Sequence, residues 1–577
     1  MTQQATDSTT PASVLAVGPN PATAPAQAQA VGALTEALER AGWLAVSLVS
    51  VTDRGVPALG EVVGSGFDAV LLLTAVDEAL AEAQWKGLGR FIEQGGSLIA
   101  TQPAVASARR DSQLARWLGV HAVREPTAPF PYPVRFEAEA QSDQAPHPVV
   151  ARAQGFTITD SLLLVEAADD TRTLATTHLD HQRLPVAVAQ QTKTHHAIAL
   201  ALGGEPAALE HPSVRQMIER SIRAVTRPPD KTHVSVGLLG YGGTFNMGRN
   251  HVQWMGPATG LQVEAVCDVD ETRTEQAKQD LGDHIRTYND MQRLFGDDQI
   301  ELIVMILPHD AHADPAIAAL NAGKHVVIEK PFALTLDDAD RMIEAADKAG
   351  VMLSCFHNHR WDGDLMRLRQ MIRADEVGTV YHIDVGTAHF MPPKPWWRSS
   401  KRVSGGVLYD WGAHHVDALL SVMQKRIESV SGHLQKRYWH NMTNEDFARV
   451  MIRFEDGTTA SLEQGELAAI ERPRWRVLGT RGGLSAQGEN QPIHTVKPHE
   501  PTRRESTVEA HPSDWPAYYR NIANHLLMGE PLAVTPQQAR RVTGVLELAE
   551  RSSNQGGTPL SLPGEDSIDP VYRAPTA

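Results

Sequence analysis

The residues that most plainly announce chemistry lie near the middle of the chain. There the apolar run VSVGLLG meets GYGGTFNMGRNH and places Gly240, Gly242 and Gly248 at the mouth of a helical stretch. A strand that runs through glycines into a helix lets a pyrophosphate approach the backbone and rest on the free N–H groups of the helix N-terminus. Gly243, Thr244, Phe245 and Asn246 fall inside the same loop and belong to the cradle. The spacing departs from the common dinucleotide fingerprint, because five residues rather than two separate Gly242 from Gly248. Taken alone, such a run is equally a flexible turn. The next strand, VEAVCD, ends on Asp268, where a carboxylate can accept hydrogen bonds from the hydroxyls of an adenosine ribose. The same carboxylate repels a ribose 2'-phosphate, so NAD is favoured over NADP, with Arg273 near enough to soften the repulsion. The other reading of Asp268 is as the cap of a helix beginning near Glu271.

These residues need a scaffold, and 577 residues are too many for one core, since single cores stop growing at roughly 250–300 residues. From Ser13 short apolar runs alternate with helical ones (SVLAVGP, AVGALTEALERAG, WLAVSLVSV, DAVLLLTA, GGSLIATQP), the pattern of a parallel sheet covered by helices. The alternation breaks at RPPD and restarts at VSVGLLG, with LQVEAVCD, ELIVMIL, HVVIEK and VMLSCF as further strands of a doubly wound nucleotide-binding unit. Beyond Trp361 longer alternating strands follow, and the last two, ARVMIRF and TASLEQGEL, are joined by EDGT, a hairpin signal. The expected division is a tail over 1–12, an α/β domain over 13–226, a linker over 227–232, a Rossmann NAD-binding domain over 233–356, an α+β domain with an open, largely antiparallel sheet over 357–565, and a tail over 566–577.

Composition narrows the partners. A net charge of -16 disfavours a nucleic-acid backbone as ligand, since binding there depends on clustered Lys and Arg. Cys267 and Cys355 are the only cysteines and show no metal-ligand spacing, so neither a disulfide framework nor a Cys-based zinc site is expected, and a reducing cytoplasm fits. The N-terminus lacks the basic and apolar segments of a secretory signal, and no apolar run approaches the roughly 20 residues of a membrane helix. The expected ligands are small molecules.

The stretch ILPHDAHADPAIAALNAGKHVVIEKPFALTLDDADRMIEAADKAG resembles the family of glucose-fructose oxidoreductases, inositol dehydrogenases and rhizopine-catabolism proteins. So do HNHRW at His357–Trp361, WWRSS at Trp396–Ser400, GGVLYDWGAHHVD at Gly405–Asp417, and the C-terminal segment from YYRNIANHLL onward. The resemblance implies a reaction centre of Lys330, Asp410 and His414, matched in type and spacing. It further implies cofactor contacts from Leu307, His312, Glu329, Lys330, Trp397 and Arg398, and a homo-oligomer built through the C-terminal sheet. Asp410 and His414, at i and i+4, share a helical face, so the carboxylate is expected to orient the imidazole that takes a hydroxyl proton, while Lys330 hydrogen-bonds the developing alkoxide. The plain alternatives are that His414 and His415 pack in a buried helix and that Trp396 and Trp397 pack a loop.

Residues 13–226 resemble the trehalose-utilisation proteins, related in fold to flavodoxin-like and class I amidotransferase domains, through FDAVLLLTA, FIEQGGSLIA, the HPVV at His147–Val150 and FTITDSLLL. The chain departs from that family at Thr101-Gln102 and Asp160-Ser161. Glutamine hydrolysis there is excluded, because it needs a Cys nucleophile and none precedes Cys267. His178, His181, His195 and His196 lack the fixed spacing of metal ligands, and no metal is expected. The functional expectation is an NAD-dependent oxidoreductase moving a hydride between a ring carbinol of a sugar, glycoside or cyclitol and the nicotinamide. The alternatives are a redox-assisted glycosidase that uses NAD transiently and a dinucleotide-sensing regulator.

Overall fold

In a computed structural model the described residues are 11–39, 44–51, 56–60, 62, 66–76, 80, 82–136, 147–179, 181–227, 231–242, 246–256, 260–500 and 502–567. The expected tails lie largely outside them, as do residues 228–230 of the expected linker; the first strand begins at Ala12. The chain divides into two compact units at Thr232/His233, with Leu527–Glu530 grouped with the first.

The first unit is built on a nine-stranded sheet. Leu44–Ser50, Ala12–Gly18, Ala69–Leu72, Ser97–Ala100 and His196–Leu200 pair in parallel in that order, and Ala69–Leu72 and Ser97–Ala100 are buried along their whole length, as strands covered on both faces must be. Gln182–Gln191, Thr171–Leu179, Phe130–Phe136 and Phe156–Asp160 extend the sheet in antiparallel fashion. At the ends of these strands the Asp160 carboxylate accepts the backbone N–H groups of Gly203 (2.8 Å), Glu205 (2.9 Å) and Ser161 (3.0 Å), and the Gln102 amide donates to Ser161 Oγ at 2.8 Å. His195 is fixed by the Thr192 hydroxyl and the Trp117 carbonyl, each at 3.0 Å.

The second unit holds two sheets. Six parallel strands run in the order Arg286–Tyr288, Leu261–Cys267, Val234–Leu239, Leu302–Met305, His325–Ile328, Leu353–Cys355. The strand order reverses at Val234–Leu239, and a crevice opens beyond the carboxyl ends of the strands at such a switch point. The eight-stranded sheet runs Ile427–Gln435, Phe447–Phe454, Thr459–Gly465, Val380–Ala388, Trp475–Gly479, Gly483–Ala486, Ile493–Glu500, Thr502–Val508. All its pairs are antiparallel except Val380–Ala388 with Thr459–Gly465. The hairpin expected at EDGT forms, with Gly457 at φ +83° closing the turn.

Period-2 alternation decides which face of this sheet is buried. In Phe447–Phe454, Ala448, Val450, Ile452 and Phe454 point into the core, and the helices Val407–Met423 and Pro536–Asn554 supply its other half. Helix Val407–Met423 carries the candidate acid and base, and its start is set by Gly405 and Gly406 at φ +84° and +113°, which side chains rarely adopt. Among the described residues no helix is long and apolar enough to cross a membrane.

Candidate active site

A cavity of about 680 Å³ opens at the switch point. Gly240, at φ +91°, forms its floor, and a Cβ there would collide with the Ile306 carbonyl, so only glycine fits the turn. Gly242 also lines it, against the Arg273 side chain. Gly248 does not reach the cavity; it lets helix Met247–Met255 pack onto the backbone of Tyr241, the close-approach role of a glycine in such a motif. Asn246 precedes that helix at φ +49°, whereas Gly243, Thr244 and Phe245 lie outside the described residues.

Asp268 faces the cavity, with Oδ2 accepting from Tyr241 N at 2.9 Å and Oδ1 from Asp270 N at 3.0 Å. It is not the cap of the next helix: Asp270 is, accepting from Thr272 N at 3.0 Å. Val269, 92% exposed, and Met291 offer apolar surface beside it, suited to a nucleobase.

Of the residues expected at the cofactor, Leu307, Trp397 and Arg398 line this cavity and His312 does not. Its ring is buried, with Nδ1 2.8 Å from the Pro331 carbonyl and Nε2 3.1 Å from that of Leu307, so it pins two loops together. His309 reaches the cavity in its place, edge-on to Trp397 at 4.9 Å between ring centres. Glu329 touches the wall, but its carboxylate is engaged by His251 Nε2 at 2.8 Å and by the Lys330 N–H at 2.9 Å. Burial would raise the Glu329 carboxyl; the His251 contact and the Lys330 charge outweigh it and hold it down at about 2.

A second cavity, about 560 Å³, shares Met247, Glu329, Lys330, Trp396 and Arg398 with the first. Lys330, Asp410 and His414 meet on its wall. The Lys330 ammonium donates to Asp410 Oδ1 at 2.7 Å and to the Asp410 carbonyl at 3.2 Å, and Arg398 Nη1 donates to the same Oδ1 at 2.8 Å. Burial pushes the Asp410 carboxyl up, but Lys330, Arg398 and His309 together hold it far below the usual carboxylate range.

The expected carboxylate–imidazole contact is not made: Asp410 turns to the two cations, and among the described residues no hydrogen bond joins it to His414. His414 Nδ1 is buried without a partner. Burial first, then His359, Lys330, His357 and His415, holds His414 well below its ordinary value, so the ring is neutral at physiological pH.

Sequence reasoning missed three residues of this cavity as site residues. His359 was visible only as part of HNHRW, and its ring lies 4.0 Å from that of His414. Gln464 and Glu466, two apart across the end of strand Thr459–Gly465, both line the cavity, which the period of a strand could have suggested. Gln464 Oε1 is buried without a partner, and the Glu466 carboxyl is raised to about 7 by burial and by the charges of Asp410 and Asp446. One group of metal-ligand type forms among the described residues, His359, Asp362 and Glu489; Arg474 lies 2.6 Å from Asp362 and 3.9 Å from Glu489, so the cluster already holds a cation.

Comparison with known proteins identifies the domains. Residues 234–357 match the model of an oxidoreductase family with an NAD-binding Rossmann fold, residues 365–485 match the Gfo/Idh/MocA C-terminal domain, and residues 19–224 match the trehalose-utilisation family. The chain is 25% identical over 352 residues to scyllo-inositol 2-dehydrogenase (NADP+) IolW of Bacillus subtilis, covering 56% of this chain and 95% of that protein. It is 30% identical over 255 residues to an uncharacterised oxidoreductase, C115.03, of Schizosaccharomyces pombe, covering 42% of this chain and 68% of the relative. Among solved structures, an NAD-binding protein from Listeria innocua is 28% identical with a TM-score of 0.53, covering 58% of this chain and 98% of that one. The chain belongs to the Gfo/Idh/MocA family of oxidoreductases and carries a trehalose-utilisation domain ahead of the nucleotide-binding fold.

Proposed function

We propose that this protein is an NAD-dependent oxidoreductase acting on a ring CH–OH of a sugar, glycoside or cyclitol, with Lys330, Asp410 and His414 as the residues that act on the hydroxyl. The observation that carries this reading is the position of Lys330. It stands on the shared wall of the two cavities, with its ammonium fixed by Asp410. Of its three N–H groups two are directed at Asp410, which leaves one for a substrate oxygen. Lys330 and Arg398 both face Asp410 Oδ1, so two cationic hydrogen-bond donors stand where an alkoxide develops. His414, kept neutral by its surroundings, is in the form that accepts a hydroxyl proton.

Gly240, Gly242, Asp268 and the N-terminus of helix Met247–Met255 would hold NAD, whose part is to accept the hydrogen and electron pair leaving the carbinol carbon. Asp268 supports NAD over NADP. Inositol dehydrogenases occur among the relatives, including a myo-inositol 2-dehydrogenase of Thermotoga maritima that is 28% identical over 255 residues, and this supports a cyclic polyol or sugar as substrate. The outer face of the eight-stranded sheet exposes Met451, with Tyr381 also exposed at the start of the central strand Val380–Ala388, which supports a homo-oligomer through that sheet; light scattering of the purified protein tests it.

A second reading, a redox-assisted glycosidase, is favoured by one observation: Glu466, with a carboxyl near 7, can donate a proton to a leaving group at neutral pH. One experiment separates the two. Purified protein with NAD is screened against cyclitols, monosaccharides and disaccharides, with NADH absorbance and released aglycone both recorded. A dehydrogenase accumulates NADH; a glycosidase releases aglycone without net NADH; silence on both refutes both.

A further inference from the structure

A proton taken up by His414 has little to hold it there. The ring is surrounded by groups that oppose a positive charge, its Nδ1 meets no partner, and the nearby Asp410 carboxylate is committed to Lys330 and Arg398.

The imidazole beside it is built differently. His359 lies in the short turn Asn358–Trp361, lines the same cavity, and donates from Nδ1 to Asp362 Oδ2 at 2.8 Å. Asp362 is fully buried and is itself fixed by the Arg474 guanidinium at 2.6 Å and the Trp515 indole N–H at 2.8 Å. Burial works to raise the Asp362 carboxyl, and the His359 and Arg474 contacts hold it below its ordinary value, so it is an anion. An ionised carboxylate only accepts hydrogen bonds; Nδ1 of His359 therefore carries a proton, and in the neutral ring Nε2 keeps its lone pair. The titratable and charged groups facing His359 are Asp362, Glu489 and Arg474 on one side and His414 and His415 on the other.

We propose, resting on the dehydrogenase reading, that His359 backed by Asp362 is the second stage of the proton path, receiving from His414 the proton that the substrate hydroxyl has lost. In the first step the O–H bond breaks as an N–H bond forms on His414. In the second that N–H bond breaks as one forms on Nε2 of His359. The charge then rests on a ring whose other nitrogen already faces a carboxylate, and Asp362 stays ionised throughout. The electron pair of the carbinol C–H bond takes no part in either proton step.

Two measurements on the full chain test this. Nitrogen-15 NMR of histidine-labelled protein at neutral pH, with the signal assigned by its loss in His359→Asn, reads the tautomer without any substrate. Nδ1–H is expected, and Nε2–H overturns the proposal. In the second, His359→Ala is assayed with NAD and the carbohydrate panel. In a variant that remains folded, turnover is expected to fall about tenfold or more with NAD affinity kept and a melting temperature lowered by the lost ring packing, and free imidazole in the buffer is expected to restore part of the turnover. Turnover within twofold of the parent overturns the proposal, as does a loss in a folded variant that imidazole does not restore. If the parent protein itself turns over no member of the panel, it is the dehydrogenase reading that falls, and the tautomer alone then decides whether Asp362 orients His359.

Discussion

Replacing His414 with Ala separates catalysis from stability with unusual clarity, because two structural effects oppose each other. The buried ring packs against His359 and Trp411, with centroids at 4.0 Å and 5.7 Å, and deleting a buried ring of this size costs about 2–3 kcal/mol in packing. The same deletion removes a buried nitrogen without a hydrogen-bond partner, and relief of such a group returns about 1–3 kcal/mol. The net change in stability is therefore within about 2 kcal/mol, and the melting temperature should move by less than about 5 °C. Catalysis has no such compensation. A general base contributes about 10²–10⁴ in rate, or roughly 3–5 kcal/mol of barrier, so turnover at saturating NAD should fall by that range while calorimetric NAD affinity stays within about twofold. Adding Lys330→Ala should cost little beyond the poorer single variant, since groups that act together are not additive. Initial rates of NADH formation, scanning fluorimetry and calorimetry on one preparation give all three numbers. Turnover within tenfold of the parent, or a melting temperature lowered by more than about 10 °C, would refute the assignment of His414 as base.

Asp268→Ser should narrow the preference for NAD over NADP, which in the parent is expected to be at least about tenfold, or roughly 1.4 kcal/mol, by calorimetry; equal affinities in the parent would remove the role given to this carboxylate. Gly240→Ala should abolish NAD binding and lower the melting temperature, because its Cβ meets the Ile306 carbonyl rather than a yielding side chain; a variant that still binds would show that the turn can open. Acidification should destabilise the protein below about pH 6.5. Burial lowers His309 to about 3 and His357 to about 4, and lowers His312, His414 and His415 as well, so the unfolded chain takes up protons at its ordinary 6.5 that the folded chain declines. Their contribution is whole above that pH and shrinks as pH falls through it. Glu329 and Asp410 are lowered too, so what they contribute is whole above the usual carboxylate range and is lost only as pH falls through it, below this window; Glu466 and Asp364, raised to about 7 and about 6, have the opposite sign and offset part of the loss from the five histidines. Thermal melts from pH 7.5 to 5 check the sign, and a flat profile would contradict it.

The parts of the site that are legible in the linear chain are those where backbone geometry demands a residue type. Gly240 must be glycine because of its turn, Asp268 directly follows its strand and accepts from the Tyr241 N–H, and the EDGT turn closes a hairpin, so each announces itself locally. What local spacing cannot carry is competition between elements. Asp410 and His414 share a helical face as their spacing requires, yet Lys330 and Arg398, brought from two distant segments, draw the carboxylate away. The same limit explains His312 and His309: three positions apart in one loop, they exchange roles once Pro331 and Ser404 supply carbonyls to fix them. Glu466 acquires its shifted carboxyl from its burial and from Asp410 and Asp446, which the fold brings near.

The wall that the two cavities have in common makes them a single thermodynamic object. Met247, Glu329, Lys330, Trp396 and Arg398 belong to both, so whatever occupies one side alters the surface offered to the other. Whatever factor the nucleotide imposes on carbohydrate affinity, the carbohydrate must impose on nucleotide affinity in return. On the proposed function, a coenzyme seated in one cavity would finish the floor on which the ring then lies, and these five side chains are where the two ligands would be coupled.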